Sequence, residues 1–153
     1  MQKAVGCIIY AAESKRFCFQ LRSNLVKYPL TWGFWGGKSE KNEKSFQTLF
    51  RELTEELGIL PQIIDIKILD IYKKLNLFEY KSFCVIVRKE FSIITNKESS
   101  GYAWVNYGNF PQPLHFNANL ILHKKHVLKK IKFIQNNYTK DNIIDHLIKQ
   151  NFS

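Results

Sequence analysis

Three glutamates near the middle of the chain, Glu52, Glu55 and Glu56, have the type and spacing of a metal-binding group. In an α-helix each residue turns by about 100°, so these three side chains share an arc of about 100°. Like charges three or four residues apart destabilise a helix by roughly 0.2–0.5 kcal/mol per pair. A cation would remove this repulsion, and carboxylate oxygens suit hard divalent ions that also bind phosphate. The spacing therefore predicts a divalent-metal site, and behind the metal a phosphate.

The helix that must carry these glutamates is predicted over residues 44–57. Five apolar residues fall on the arc beside the carboxylates and predict the face that packs on the core. They are Phe46, Leu49, Phe50, Leu53 and Leu57. Gly58 follows the last periodic residue, which is a common signal for the end of a helix. The acidic stripe is therefore expected directly beside the buried face.

The stretch 37–59 also fits a longer pattern of fixed residues, the Nudix box. The pattern is Gly, five residues, Glu, seven residues, Arg-Glu, an aliphatic residue, any residue, Glu-Glu, any residue, Gly and an aliphatic residue. It is filled by Gly37, Glu43, Arg51, Glu52, Leu53, Glu55, Glu56, Gly58 and Ile59. Since no fixed position departs from the pattern, the chain resembles a small, MutT-like Nudix hydrolase.

The resemblance implies hydrolysis of a nucleoside diphosphate linked to a further group X. Water attacks a phosphorus atom and one pyrophosphate bond breaks. A metal ion neutralises the phosphate charge and lowers the pKa of a bound water. Mg²⁺ is the expected cofactor, and Mn²⁺, which takes similar ligands, is an acceptable substitute.

The resemblance also implies roles for single residues. The expected metal ligands are Glu52, Glu55, Glu56, Glu98 and the backbone carbonyl of Gly37. The residues expected to act in catalysis are Arg51, Glu52, Glu55 and Glu98, with either Glu52 or Glu98 as the general base. Glu98 is included because it lies in a loop shortly before Trp104, although an ordinary loop glutamate is the alternative.

Other box residues are expected to have structural roles. Arg51 and Glu43 form an expected orienting pair, and the helical wheel places Arg51 beside Glu55. Gly36 and Gly37 allow the backbone to bend tightly near the metal because they lack a Cβ. Gly58 ends the helix.

Four residues are candidates for substrate binding: Trp32, Phe34, Trp35 and His115. Many relatives carry Pro where this chain has Trp35, so the wall of the base pocket is expected to differ here. On a strand, Trp32 and Phe34 should face the opposite side from Trp35. One of these rings could stack on a nucleobase, a contact worth roughly 1–3 kcal/mol. The alternative for each ring is packing in the core.

The remaining pattern predicts an α/β fold. Strands are predicted at 3–12, 16–22, 32–35, 63–72, 82–91 and 102–107. The range 73–80 is predicted as a turn or a short continuation of the strand, and loops are predicted at 93–101 and 109–119. Further helices are predicted at 120–135 and 141–150. The order fits a single domain over residues 1–153, a Nudix-type α/β/α sandwich with a central mixed β-sheet.

Composition narrows the class of protein further. Hydrophobic content of 45% fits a globular chain, and no apolar run approaches the roughly 20 residues that cross a bilayer. Three cysteines without a CxxC motif predict buried thiols in a reducing compartment, so a cytoplasmic protein without membrane contact is expected. The net charge of +10 favours anionic substrates.

The favoured substrate is a nucleoside triphosphate, cleaved to monophosphate and pyrophosphate by a monomer or homodimer. The alternatives are ADP-ribose, a dinucleoside polyphosphate or a dinucleotide cofactor. The positive charge raises a further alternative, action on the 5′ end of RNA by pyrophosphate removal or decapping. A non-catalytic nucleotide-binding module is disfavoured because the chain keeps every box glutamate.

Overall fold

The computed structural model describes residues 1–152 and contains one mixed β-sheet with helices on both faces. The strands are β1 (Gln2–Ala11), β2 (Arg16–Arg22), β3 (Trp32–Gly33), β4 (Trp35–Lys38), β5 (Ile63–Lys74), β6 (Phe78–Val87) and β7 (Ser99–Val105). The helices are α1 (Ser45–Leu57), α2 (Phe116–Leu122), α3 (Lys125–Asn137) and α4 (Ile143–Phe152). The predicted α/β/α sandwich is confirmed.

The sheet divides where β1 and β2 separate. Its order is β3-β2-β1-β6-β5, with β4 paired to β1 and β7 paired to β2. Strands β1 and β6 are parallel, and the other strand pairs of the described residues are antiparallel. Strands β1 and β2 pair with each other only as far as Ile9 and Cys18. From Cys7 towards its N-terminus, β1 pairs with β4 instead, and from Gln20 towards its C-terminus, β2 pairs with β3. The glycines of β4 therefore lie where the two long strands part.

Each face of the sheet has its own core. Successive side chains of a strand point to opposite faces, so Cys7 and Ile9 of β1 pack under α1, whereas Ile8 and Tyr10 pack under the other helices. Helix α1 contributes Leu49, Leu53 and Leu57 to the first core. Helices α2, α3 and α4 contribute Ala118, Ile121, Leu122, Val127, Ile131, Ile134 and Ile143 to the second.

Several predicted boundaries are wrong because tertiary pairing overrides the local pattern. The range 73–80, predicted as a turn or a short continuation of the strand, contains both: β5 ends at Lys74, a turn follows at 75–77, and β6 begins at Phe78. The resulting hairpin pairs Tyr72 with Tyr80. The predicted strand 32–35 is two short strands separated at Phe34, and β7 begins at Ser99, inside the predicted loop 93–101. The predicted helix 120–135 is two helices, because Lys124 has an extended backbone (ψ 136°).

The three cysteines are buried and free, which confirms the prediction of buried thiols. Burial raises the pKa of Cys7, Cys18 and Cys84, so the thiols stay uncharged at neutral pH. Within residues 1–152, no helix is long and apolar enough to cross a membrane.

Asp70 attaches α3 to the sheet. It lies at an irregularity of β5 and is 7% exposed. Its Oδ2 accepts a hydrogen bond from Lys124 Nζ at 2.6 Å, and its Oδ1 lies 2.7 Å from Nε2 of His126. Burial opposes ionisation of Asp70, but the hydrogen bonds from Lys124 and His126 outweigh it and hold its pKa below the usual range.

Replacing this carboxylate should destabilise the fold in a pH-dependent way. Asp70→Asn should lower the free energy of unfolding by about 1–3 kcal/mol at pH 7, because Lys124 and His126 both lose their carboxylate partner. Since the folded-state pKa lies below the unfolded value of about 3.9, the contribution is present above that pH and is lost as pH falls through the folded-state pKa.

Urea unfolding at pH 7 and pH 3 measures this contribution. The difference between wild type and Asp70→Asn should shrink at pH 3, and Asp141→Asn, at an exposed aspartate, is the control. Equal stability of wild type and Asp70→Asn at pH 7 would rule out this role.

Candidate active site

Helix α1 carries three of the predicted metal ligands, Glu52, Glu55 and Glu56, and its bounds agree with the predicted 44–57 to within one residue. Its leucines are buried as expected, but Phe46 and Phe50 are 49% and 40% exposed, so their predicted place in the core is wrong. The buried side of the helix instead includes Glu52 and Glu56, which are 8% and 2% exposed. The acidic stripe thus lies partly inside the protein rather than beside the buried face.

Two glycines of β4 allow α1 to lie this close to the sheet. Gly36 has a φ of +139°, and a Cβ added there would lie 2.2 Å from the carbonyl oxygen of Val5. A Cβ on Gly37 would lie 2.4 Å from Oε1 of Glu52. Any larger residue at position 37 would therefore collide with the Glu52 carboxylate.

The Glu56 carboxylate is held by two strands. Its Oε2 accepts a hydrogen bond from the Gly36 N–H at 2.8 Å, and its Oε1 accepts one from Gln20 Nε2 at 3.1 Å. Burial raises the pKa of Glu56 to about 8. The hydrogen bond from the Gly36 N–H lowers this pKa in part, whereas the negative charge of Glu52 raises it further. Burial also raises the pKa of Glu52, against the bond from Arg51.

Arg51 forms the orienting pair expected with Glu43. Its Nε and Nη2 donate to the two Glu43 carboxylate oxygens at 2.8 and 3.1 Å, and Nη2 also donates to the Lys38 carbonyl oxygen at 2.9 Å. The hydrogen bond from Arg51 is the main reason that the pKa of Glu43 falls to about 2. Arg51 Nη1 lies 3.0 Å from Glu52 but 3.5 Å from Glu55, so it orients Glu52 more than the expected Glu55.

Glu98 is exposed, but its main chain is fixed. Its N–H donates to Asn96 Oδ1 and its carbonyl oxygen accepts from the Ser23 N–H, both at 2.9 Å. Asn96 also donates through its side chain to the carbonyl oxygen of Glu55 at 3.2 Å. The loop that carries Glu98 is thereby attached both to α1 and to the residue that follows β2.

A cleft of about 410 Å³ lies beside these residues, and its wall includes Glu56 and Glu98. Basic and aromatic side chains form other parts of the wall. They are Arg22, Lys27, Tyr28, Phe34, Lys38, Tyr80, His115 and Phe116. Such a combination can bind an anionic ligand that also carries an aromatic ring.

The four predicted substrate-binding residues divide into two groups. Phe34 and His115 line the cleft. Trp35 borders it, but its side chain is fully buried under α1 and its indole N–H donates to the Cys18 carbonyl oxygen at 3.3 Å, so the stacking suggested for this ring is wrong. Trp32 does not line the cleft and packs on the other core. Trp32 and Phe34 lie on one face of the sheet and Trp35 lies on the other, as predicted. This alternation places the Trp35 side chain under α1, where it is buried.

His115 also has a structural contact. Its Nδ1 accepts a hydrogen bond from the Asn117 N–H at 3.2 Å at the start of α2, and its ring stacks on Phe116 with centroids 4.8 Å apart. Burial, and then the charge of Arg22, lowers the pKa of His115. The imidazole therefore favours its neutral form in the cleft wall.

Sequence reasoning missed Tyr80 and Arg22. Tyr80 ends the range predicted as a turn or a short strand continuation, and no role is predicted for it. It lies on β6 and its ring crosses Gly6, where an added Cβ would lie 1.9 Å from the Tyr80 hydroxyl oxygen. A glycine inside the hydrophobic strand β1 was the available signal, because such a glycine often marks a close approach by another group. Arg22 carried no signal beyond its charge at the end of β2.

The oxygen donors of the site fit a hard divalent ion. In residues 1–152, no three His, Cys, Asp or Glu side chains converge into a ready-made metal cage. Two buried carboxylates, Glu52 and Glu56, nevertheless lie against the main chain of Gly36 and Gly37, and such oxygens are the ligands that Mg²⁺ prefers. Their raised pKa values show that negative charge is disfavoured there, and a bound cation would offset this.

A model of the NUDIX domain family matches residues 1–124. The chain belongs to this family. It is 35% identical over 143 residues to the 8-oxo-dGTP diphosphatase of Buchnera aphidicola subsp. Schizaphis graminum (strain Sg), a match that covers 87% of this chain and 99% of that protein.

Solved Nudix structures share the fold. The MutT protein from Methanosarcina mazei Go1 has a TM-score of 0.64 at 19% identity, covering 84% of this chain and 94% of that one. The NUDIX domain of Shewanella oneidensis NrtR, solved with ADP-ribose, has a TM-score of 0.65 at 17% identity, covering 84% and 87% of the two chains.

The protein is therefore a MutT-like Nudix hydrolase, an enzyme that cleaves a pyrophosphate bond, and the predicted reaction class is confirmed. Nudix hydrolases generally need a divalent metal ion, which agrees with the donor set described above. Helices α3 and α4 lie beyond residues 1–124, which the family model matches. They nevertheless pack in the same core as α2, through Ile131 and Ile134 of α3 and Ile143 of α4.

The close contact at Gly37 can be tested by adding one methyl group. Gly37→Ala should lower kcat by about 100-fold, because displacing Glu52 by about 1 Å is enough for a loss of that size. Gly101→Ala is the matched control, since nothing lies within 4 Å of a Cβ added there. Initial rates and melting temperatures of both variants would be measured. A Gly37→Ala enzyme with wild-type kcat would show that this contact is unimportant.

Proposed function

We propose that this Nudix hydrolase converts 8-oxo-dGTP and water to 8-oxo-dGMP and pyrophosphate. The observation that carries the proposal is the 35% identity to an 8-oxo-dGTP diphosphatase along 99% of that protein's length. The cleft supports it, because rings such as Phe34 and Tyr80 suit a base, and cations such as Arg22 and Lys27 suit phosphates. Water adds to the α- or β-phosphorus atom, the phosphoanhydride bond between these two atoms breaks, and the monophosphate and pyrophosphate are released.

The proposed cofactor is Mg²⁺, with Mn²⁺ as a substitute. When bound, such an ion neutralises phosphate charge and lowers the pKa of a water molecule. Glu52, Glu56 and the Gly37 carbonyl are the proposed inner ligands, because the two carboxylates are buried against β4. Glu55 is the proposed outer ligand, since its side chain is 53% exposed. Arg51 keeps Glu52 oriented through its hydrogen bond at 3.0 Å.

Glu98 is the proposed general base, in preference to Glu52. Its support is that Glu98 is exposed on the cleft wall with a fixed main chain, which suits a group that takes a proton from water. Glu52 is already bound by Arg51 and lies against Gly37, which suits a ligand. A contribution of Glu98 to the metal site is compatible with this role.

The substrate assignment is tested with a nucleotide panel in Mg²⁺ and in Mn²⁺. The value of kcat/KM for 8-oxo-dGTP should exceed that for dGTP by at least about tenfold, as expected of a pocket selecting between similar bases. Chromatography should identify monophosphate and pyrophosphate as the products. The panel also contains ADP-ribose, a dinucleoside tetraphosphate, NAD and RNA with a 5′-triphosphate. A higher kcat/KM for any of these would replace the proposed substrate.

The base assignment is tested by Glu98→Gln, which removes the proton acceptor and keeps the shape. It should lower kcat by about 10²–10⁴-fold, the usual contribution of a general base. Glu90→Gln is the control, because Glu90 is bound by Arg16 at 2.6 and 2.7 Å and lies outside the cleft. If Mn²⁺ affinity of Glu98→Gln falls in proportion to kcat, Glu98 is a metal ligand instead of the base.

A further inference from the structure

Gln20 is a polar side chain inside the core that lies under α1. It is 3% exposed and follows Cys18 by two residues on β2, so both side chains point to the same face of the sheet. An apolar residue is expected at such a position. Burying a carboxamide there is costly unless its polar atoms are hydrogen-bonded.

Both hydrogens of the Gln20 carboxamide nitrogen have acceptors. Nε2 donates to Oε1 of Glu56 at 3.1 Å and to Oγ of Ser99 at 2.6 Å. These partners are themselves buried, with Glu56 at 2% and Ser99 at 8% exposure. Since the Gly36 N–H binds the other Glu56 oxygen at 2.8 Å, the carboxylate has a donor on each oxygen.

The same carboxamide connects two parts of the site. Glu56 lies on α1, whereas Ser99 begins β7 and directly follows Glu98. The main chain of Glu98 is also bonded to Ser23, just after β2. Strand β2 thus holds both segments, and Gln20 is the side chain through which it reaches Glu56.

We propose that Gln20 is a positioning residue for the metal centre, which fixes the Glu56 carboxylate relative to the segment that carries Glu98. This inference rests on the proposed role of Glu56 as a metal ligand and of Glu98 as the general base. Residues that orient metal ligands typically change metal affinity or activity by 10–100-fold when they are removed. Gln20 borders the cleft, but it is only 3% exposed and its amide N–H groups are already donated to Glu56 and Ser99. Its effect is therefore expected on metal affinity and kcat rather than on KM.

Gln20→Met tests this role, because methionine keeps the length and volume of the side chain and removes both donors. Titration of the nucleotide-free protein with Mn²⁺, followed by electron paramagnetic resonance, should show affinity weakened by about tenfold or more. The value of kcat should fall by a similar factor while KM changes by less than about twofold. Ser99→Ala, which removes one acceptor of the same amide, should weaken Mn²⁺ binding less but measurably.

Two comparisons separate positioning from loss of packing. Ile9→Ala opens a cavity in the same core without removing a hydrogen bond, so Mn²⁺ affinity should stay near that of wild type. In a Glu56→Gln background, Gln20→Met should lower kcat little further, because a residue that acts through Glu56 is not additive with its loss. Melting temperatures identify any variant that is not folded.

The outcomes distinguish the two proposals. A wild-type protein that binds no Mn²⁺ would overturn the metal site itself. A wild-type protein that binds Mn²⁺, together with unchanged affinity and kcat in folded Gln20→Met, would overturn only the role of Gln20. An equal loss in Ile9→Ala would attribute the effect to packing and would also overturn it. If Gln20→Met does not fold, wild-type Mn²⁺ affinity in Ser99→Ala decides against the proposal.

Discussion

The contact between α1 and the two glycines of β4 is the constraint on which the site depends. It allows the Glu52 carboxylate to lie against Gly37 and the Glu56 carboxylate to accept the Gly36 N–H, both near the core. The raised pKa of each carboxyl group shows that this placement disfavours the charged form. Such an arrangement does not favour stability, whereas the proposed divalent cation would offset the cost of burying both charges.

The surrounding elements keep these carboxylates in place. Arg51 links Glu43, before the helix, to Glu52 within it, and the chain from Lys38 to α1 is thereby fixed. The division of the sheet between β1 and β2 makes room for β4, whose glycines contact the helix. The cleft with its aromatic and basic walls lies next to this division, so the same strands position both the acidic group and the surface for a nucleotide.

The helix and its chemistry could be predicted because they depend on local spacing. The fixed residues from Gly37 to Ile59 give the reaction class, and the strand alternation correctly separates Trp32 from Trp35. Burial of Glu56 and exposure of Phe46 could not be predicted, because both depend on how closely α1 approaches β4. The cleft residue Tyr80 was missed for a similar reason, since the pairing of β5 with β6 decides which residues of 73–80 form the turn and which extend the strands.

The central claim is that Glu52, Glu56 and Gly37 together bind the catalytic metal. Anomalous diffraction from crystals soaked in Mn²⁺ tests it most directly, because the signal locates the ion without reference to activity. The account predicts a peak roughly 2 Å from a Glu56 carboxylate oxygen and from the Gly37 carbonyl oxygen. A Mn²⁺ peak only elsewhere in the molecule, or none in crystals of an active protein at saturating Mn²⁺, would contradict it.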